Sequence, residues 1–337
     1  MKNEEWKTKK AASPLCCLCL CVLCASVVSH KSAAAEIDRA AIRKKLEQAM
    51  GPLPDDSRKV PLDVQYTKED RLEKFTRKKL TYAAEKNDRV PAWLLIPHDL
   101  KGKAPAILCL HQTINIGKDE PAGLGQQENK RIGVHLAERG YVVLCPDYPS
   151  FGEYSYDFRK SDYKSGSMKA IWNNMRAVDL LQSLPQVDGK RIGVIGHSLG
   201  GHNSMFSAVF DDRIQAIVSN CGFTSFAKYY SGNLKGWTSD RYMPLIATKY
   251  EMKPEKMPFE FADVVIAFAP RPFLASSPIE DSNFEVSGVK DVIAAAMPYY
   301  ENLGAKEKLQ ANYPDCKHDF PPAVRKVAYD FLDRWLK

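Results

Sequence analysis

The sequence predicts an α/β fold built on a mostly parallel, twisted sheet with helices on both faces. From residue 104 onward, short continuous runs of Val, Ile, Leu and Ala alternate with longer segments of helical period. Those runs lack the in-out alternation of a strand wetted on one face, so each strand is covered twice and joined to the next by a right-handed crossover. Size agrees: 337 residues at 45% hydrophobic and 26% charged suffice for one large core.

Taken in order, Ile37 to Met50 keeps a 3.6-residue apolar period and predicts a helix, and Phe75 to Tyr82 and Arg89 to Ile96 predict strands around the polar turn Lys86-Asn87-Asp88. That hairpin forms an antiparallel N-terminal edge. Ala106 to Leu110, Tyr141 to Cys145, Arg191 to Ile195 and Ile214 to Ser219 are buried strands, separated by helices at Lys130 to Arg139, Met168 to Leu184 and Leu199 to Phe210. Pro272 to Ser277 and Lys308 to Asn312 add two strands around a helix at Val289 to Leu303. The closing helix, Pro321 to Leu336, aligns Val324, Val327, Phe331 and Trp335 on one face. Residues 222–263 are irregular, aromatic and too long for an ordinary connection, which predicts a lid-like insertion over the site. Its Phe226, Tyr229, Tyr230, Trp237 and Tyr242 suit either stacking on a sugar or aromatic group or the insertion's own small core.

The N-terminal stretch is different. Four lysines and two glutamates in Met1 to Lys10 precede the short apolar run Leu15 to Cys24, and Ser32-Ala33-Ala34-Ala35 offers a cleavage point. Residues 1–35 are therefore expected to be a signal peptide and 36–337 a single catalytic domain, secreted or periplasmic. An uncleaved signal anchor would want about 20 apolar residues. Without 1–35, five lysines and two glutamates fewer, the formal charge of +7 falls by three to +4. So modest a charge predicts no nucleic-acid partner, and no membrane partner after signal cleavage. Five of nine cysteines lie in the signal segment; Cys109, Cys145, Cys221 and Cys316 remain, each beside an apolar run, with no zinc spacing and no disulfide framework. The sequence carries no sign of the oligomeric state.

The candidate chemistry centres on Gly196-His197-Ser198-Leu199-Gly200-Gly201, where a buried strand runs into a glycine-flanked serine and then an apolar helix. Such a turn lifts the hydroxyl above the sheet end as a nucleophile, and the Leu199 N–H at the helix start can donate to an oxyanion. A serine needs a base further along the chain, and His318 in Asp315-Cys316-Lys317-His318-Asp319-Phe320 follows the last strand. Asp281, ending Arg271 to Asp281, is the expected orienting acid, with Glu280 the adjacent alternative. Asp147, at another strand end, reads as a turn cap. The second oxyanion donor is expected from His111-Gln112-Thr113, first Gln112 N–H and then Thr113, with the His111 side chain bracing the loop. His202 is expected to face into the helix behind Ser198. No cofactor and no metal are called for.

Together these residues resemble the α/β-hydrolase superfamily, and more narrowly its dienelactone-hydrolase and acetyl-xylan-esterase-like branch of secreted bacterial enzymes. The matches are the Gly-His-Ser-Leu-Gly-Gly turn, the Arg-Pro strand ending at Asp281, and His318 followed two residues later by Phe320. Dienelactone hydrolases carry a cysteine where Ser198 stands, a departure that bears on that particular substrate. The resemblance implies hydrolysis of small-molecule or carbohydrate esters through a covalent acyl-enzyme. Two alternatives are a serine peptidase resembling the catalytic domain of prolyl oligopeptidases and a non-catalytic binding protein on the same scaffold. Prolyl oligopeptidases usually carry a large N-terminal propeller, for which about 65 residues ahead of the core sheet are too few. The intact serine, acid and histidine argue against the scaffold reading.

Overall fold

The structure, a computed structural model, describes residues 36–337, so the predicted signal segment lies outside the described residues. Helix α1 (Arg39–Met50) starts where the Asp38 side chain accepts from Ala41 N–H at 2.8 Å. Strands β1 (Gln65–Arg71), β2 (Phe75–Glu85) and β3 (Asp88–Pro97) follow as an antiparallel run. The N-terminal edge thus has three strands, one more than the hairpin expected. The extra one, Gln-Tyr-Thr-Lys-Glu-Asp-Arg, is almost wholly exposed. An edge strand wetted on both faces has no apolar pattern to betray it, and its charges discourage pairing with other chains.

Next come β4 (Ala104–Leu110), α2 (Ile132–Glu138), β5 (Val142–Pro146), α3 (Gly166–Ser183), β6 (Val187–His197), α4 (Leu199–Phe210) and β7 (Ile214–Asn220). A stretch of short turns with one short helix, α5 (Leu245–Thr248), leads to α6 (Phe261–Ala267), β8 (Phe273–Ser276), α7 (Val286–Asn302), β9 (Leu309–Asn312) and α8 (Pro322–Leu336). The irregular stretch therefore ends at Glu260, three residues before the expected boundary. A capping box begins α6, the side chains of Glu260 and Asp263 each accepting from the other's backbone N–H. In α8 the buried face is Val324, Ala328, Phe331, Leu332 and Leu336; Val327 is exposed, because the helix turns its i, i+4, i+7, i+8 stripe inward.

The nine strands run in the order β1-β2-β3-β5-β4-β6-β7-β8-β9, parallel from β5 through β9. Their two faces feed separate cores. Ala106, Leu108, Val142, Leu144, Ile192 and Val194 join the core under α1, α3, α4, α6 and α7, while Ile107, Cys109, Val143, Cys145 and Ile195 join the one under α2 and α8. Every second residue goes to the other face, which is why both must be apolar and the runs are continuous. The expected α/β-hydrolase architecture is the one found. Among the described residues no helix is long and apolar enough to cross a membrane.

One buried ion cluster ties the edge to the core. Lys169 on α3 has no exposed side-chain surface and meets Glu85 at 2.7 Å and Asp88 at 2.5 Å on the β2–β3 turn, where Tyr154 also donates to Asp88. Replacing the cation removes the partner that both carboxylates share and leaves Glu85 with Arg58 alone as a cationic partner, at 3.3 Å. Lys169→Met should lower stability by about 2–4 kcal/mol, somewhat less than a fully buried pair because the acids keep 14% and 17% exposure. Urea midpoints measure this, and Lys169→Met with Glu85→Gln should recover part of the loss.

Candidate active site

Strand β6 ends at His197 and α4 begins at Leu199, leaving Ser198 between them at φ 55°, ψ −115°. A non-glycine residue there is strained by about 1–3 kcal/mol and must be held by its neighbours. Ser198 N–H donates to Asn220 C=O at 2.9 Å, and Ser198 C=O accepts from Gly201 N–H at 2.8 Å. The glycines let three backbones touch: a Cβ on Gly196 would lie 2.2 Å from Gly200 O, and one on Gly200 would lie 2.0 Å from Leu110 O. The Leu199 N–H heads α4 without an intrahelical partner, in the positive end of the helix dipole.

His318 and Asp281 are brought together from loops after β9 and β8. The Nδ1–H of His318 lies 2.9 Å from both Asp281 oxygens. Asp281 is buried and also accepts from the N–H groups of Asn283 and Phe284, at 2.8 and 3.1 Å. Its neighbour Glu280 is exposed, because the Ile279 and Glu280 N–H groups pair with the carbonyls of Pro314 and Cys316 and turn that side chain outward. The next residue along, Asp319, anchors the histidine loop: Lys130 reaches it at 2.7 Å and Asn129 at 2.6 Å, while Asn220 donates to its carbonyl. Ser198 and His318 line one cavity, and among the described residues no hydrogen bond joins them, a loose geometry common before substrate binds.

The loop after β4 is locked by His111. Its Nε2 accepts from Tyr148 N–H at 2.9 Å and its Nδ1–H donates to Gln112 C=O at 2.6 Å, so one neutral tautomer serves both, and burial pushes its pKa down to about 4. The side chain braces the loop, as expected. Gln112 and Thr113 border the cavity, and the Gln112 side chain is held by buried Glu120 at 2.9 Å. Asp147 caps Lys118 N–H and Glu153 N–H and meets Lys118 Nζ at 3.2 Å, the turn-capping part expected of it.

The cavity, of about 340 Å³, lies between this loop, Ser198, His318 and the irregular stretch, which contributes Tyr229, Gly236, Trp237 and Tyr242. The aromatics divide. Phe226 and Trp237 are buried with Phe259 and Phe261 as a local core, Tyr230 is exposed, and Tyr242 reaches Thr113 Oγ1 at 2.9 Å. His202 is a correction: it too lines the cavity. Four residues along α4 from Ser198, it shares that residue's face, a spacing visible in the sequence. Phe284 and Asn283 were not singled out, since only the turn after Asp281 brings them to the site. Cys221 Sγ lies within 4.8 Å of Asp281 and His318 ligand atoms. Burial and the Asp281 carboxylate push its thiol pKa well up. All four described cysteines are free, Cys316 being the half-buried one.

The prolyl oligopeptidase family model matches residues 131–337, the segment holding Ser198, Asp281 and His318. The Bacillus subtilis (strain 168) protein YtaP, which its name places only among hydrolases, is 26% identical over 310 residues, 88% of this chain and 100% of that one. Carbohydrate esterase MZ0003, from an unknown prokaryotic organism, is 24% identical over 275 residues, 65% of this chain and 62% of its own length. In structure the chain is similar to a glucuronoyl esterase from Solibacter usitatus, with a TM-score of 0.67 at 18% identity over 89% of this chain and 92% of that one. That likeness is one of fold. With more than half of the chain matched, and the strand, turn and helix around Ser198 inside the match, the chain belongs to the prolyl oligopeptidase family of the α/β-hydrolase superfamily.

Proposed function

We propose that the chain hydrolyses carboxylic esters, acylated carbohydrates among them, through an acyl-enzyme formed on Ser198. The observation that carries this reading is the His318 imidazole, held through Nδ1–H at 2.9 Å by both oxygens of buried Asp281 in the cavity that Ser198 enters. With its proton on Nδ1, His318 has Nε2 free to take the Ser198 proton as Oγ attacks the ester carbon. The carbonyl electron pair moves onto oxygen, facing the N–H groups of Leu199 and Gln112. His318 then gives its proton to the leaving alkoxide, and water repeats the sequence to release the acid. Neither a metal nor an organic cofactor enters this reading. We read residues 36–337 as one catalytic domain with a lid-like insertion, and the lysine-led apolar segment 1–35 as directing the chain to a secreted or periplasmic location.

Family membership favours a second reading, peptide hydrolysis. The similarity to the carbohydrate esterase MZ0003 and to the Solibacter glucuronoyl esterase supports the ester reading instead. Esters also demand less of the site, since an alkoxide leaves readily once an oxyanion hole and a base are present. A comparison of kcat/KM for an acetyl ester, an acylated sugar and a peptide anilide decides between them; an anilide matching the esters would establish the peptidase.

A fluorophosphonate should label Ser198, separating an enzyme from an inert scaffold. Ser198→Ala and His318→Ala should each leave a folded protein with less than about a hundredth of the activity. Asp281→Asn should be nearly as damaging and Glu280→Gln mild; the reverse would transfer the acid to Glu280.

The buried histidines set the acid behaviour. Burial pushes His111 down to about 4 and His202 to about 3, and His197, buried beside Lys130 and His318, well below its usual range. An unfolded imidazole titrates near 6.5, so below that pH the unfolded chain binds protons the fold refuses. Stability should fall by a few kcal/mol as pH drops from about 6.5 toward about 4. Asp147, raised to about 6 by burial, opposes this by less. Urea midpoints across that range test it, and the acid limb of kcat/KM should fit one ionisation.

A further inference from the structure

The mechanism makes no use of Cys221, yet the fold sets its thiol against the acid and the base. Strands β7, β8 and β9 are neighbours in the sheet, and Cys221, Asp281 and His318 follow their respective C-terminal ends. One atom from each, the Cys221 Sγ, an Asp281 carboxylate oxygen and a His318 ring nitrogen, all lie within 4.8 Å of one another. Three atoms so spaced share a point no more than about 2.8 Å from each, and zinc takes thiolate sulfur at about 2.3 Å and imidazole nitrogen or carboxylate oxygen at about 2.0–2.2 Å. Shifts of less than about 1 Å therefore close a coordination shell. Nδ1 is the nitrogen that faces the carboxylate, 2.9 Å from both its oxygens. The present partners of the thiol are weak: its S–H faces Asp319 C=O at 3.6 Å, and the sulfur accepts from Asn220 Nδ2 at 3.3 Å. Cys221 is fully buried, whereas the His318 side chain keeps 20% exposure and borders the cavity, so the group is reached from the Ser198 side by a swing of one ring.

A thiolate, an imidazole and a carboxylate make a donor set for zinc and softer dications, and the two anionic ligands neutralise the metal charge, which lowers the cost of placing it where there is little water. Coordination drives the thiol proton off to water. At His318 the cation takes the Nδ1 lone pair, so the one proton of the neutral ring ends on Nε2, and a single proton, from the thiol, is released overall. Nε2 then has no lone pair to receive the Ser198 proton. Resting on the assignment of His318 as the base, we propose that Cys221, Asp281 and His318 form an inhibitory site for a thiophilic divalent cation, zinc or cadmium, which switches hydrolysis off reversibly. Magnesium and calcium, which take oxygen ligands, should leave the enzyme active.

The test follows hydrolysis of 4-nitrophenyl acetate with added zinc, cadmium, magnesium or calcium chloride, each rate divided by the same protein's rate in EDTA. Zinc and cadmium should inhibit and EDTA should restore the rate. Cys221→Ala should raise the half-inhibiting concentration at least about tenfold, since the loss of even an outer-shell group costs that much in metal affinity. Cys221→Ser serves where the alanine variant fails to fold, and Cys316→Ser, which alters the half-buried thiol outside the group, should change nothing. Hydrolysis that neither zinc nor cadmium inhibits overturns the site, as does inhibition undiminished in the Cys221 variants. Binding is read without turnover from the ultraviolet thiolate-to-cadmium absorption that Cys221→Ala removes from the wild-type spectrum. That band should need at least about ten times more cadmium in Asp281→Asn and in His318→Ala. A midpoint that neither variant shifts places cadmium on an isolated thiol and overturns the site. A band that both variants weaken, in a wild type that cleaves no ester, upholds the site and overturns the esterase reading alone.

Discussion

The close contact of the first turn of α4 with the ends of β4 and β6 is the constraint on which the site depends. Gly200 stands so near Leu110 O, and Gly196 so near Gly200 O, that neither could carry a side chain without moving a backbone. This contact brings the end of β4, and hence Gln112, to the helix start where Leu199 N–H points outward. It also holds Ser198 at a φ that an L-residue adopts only when surrounded. The strain is local, and two cores of continuous apolar strand residues, one on each sheet face, supply the rigidity that sustains it.

Around that point His318 stands apart from three buried imidazoles. His111, His197 and His202 are buried and neutral, each with a structural bond: to the Gln112 carbonyl, to the Asn220 amide at 2.6 Å, and to the Gly222 carbonyl. His318 keeps more exposure and faces buried Asp281. Its loop is clamped on both sides, by Asp281 at the ring and by Lys130, Asn129 and Asn220 at Asp319. The ring of His197, 4.8 Å away, adds a flat uncharged wall. An imidazole held this way has little freedom to reorient.

The irregular stretch before α6 has two duties that pull its aromatic residues apart. Phe226 and Trp237 anchor it against Phe259 and Phe261, while Tyr242 closes toward Thr113 in the loop after β4 and Tyr230 faces solvent. Trp237 belongs to both, packed on one side and bordering the cavity on the other.

The serine, the histidine and the parallel sheet were legible in the sequence because each has a local signature: a glycine-flanked strand-to-helix turn, a histidine beyond the last strand, and continuous β-branched runs. The edge strand Gln65–Arg71 was not, since a strand wetted on both faces leaves no periodic trace. Asp281 and Glu280 are neighbours in the chain and equal in chemistry; only the pairing of that turn with Pro314 and Cys316, some 35 residues on, faces one inward and the other out. The same holds for the cavity wall. His202, Trp237 and Phe284 come from three separate segments, and no pattern within any one of them records that they meet. Local sequence determines which residues can do chemistry and which way a strand or helix faces, whereas long-range backbone pairing decides which of them share a space.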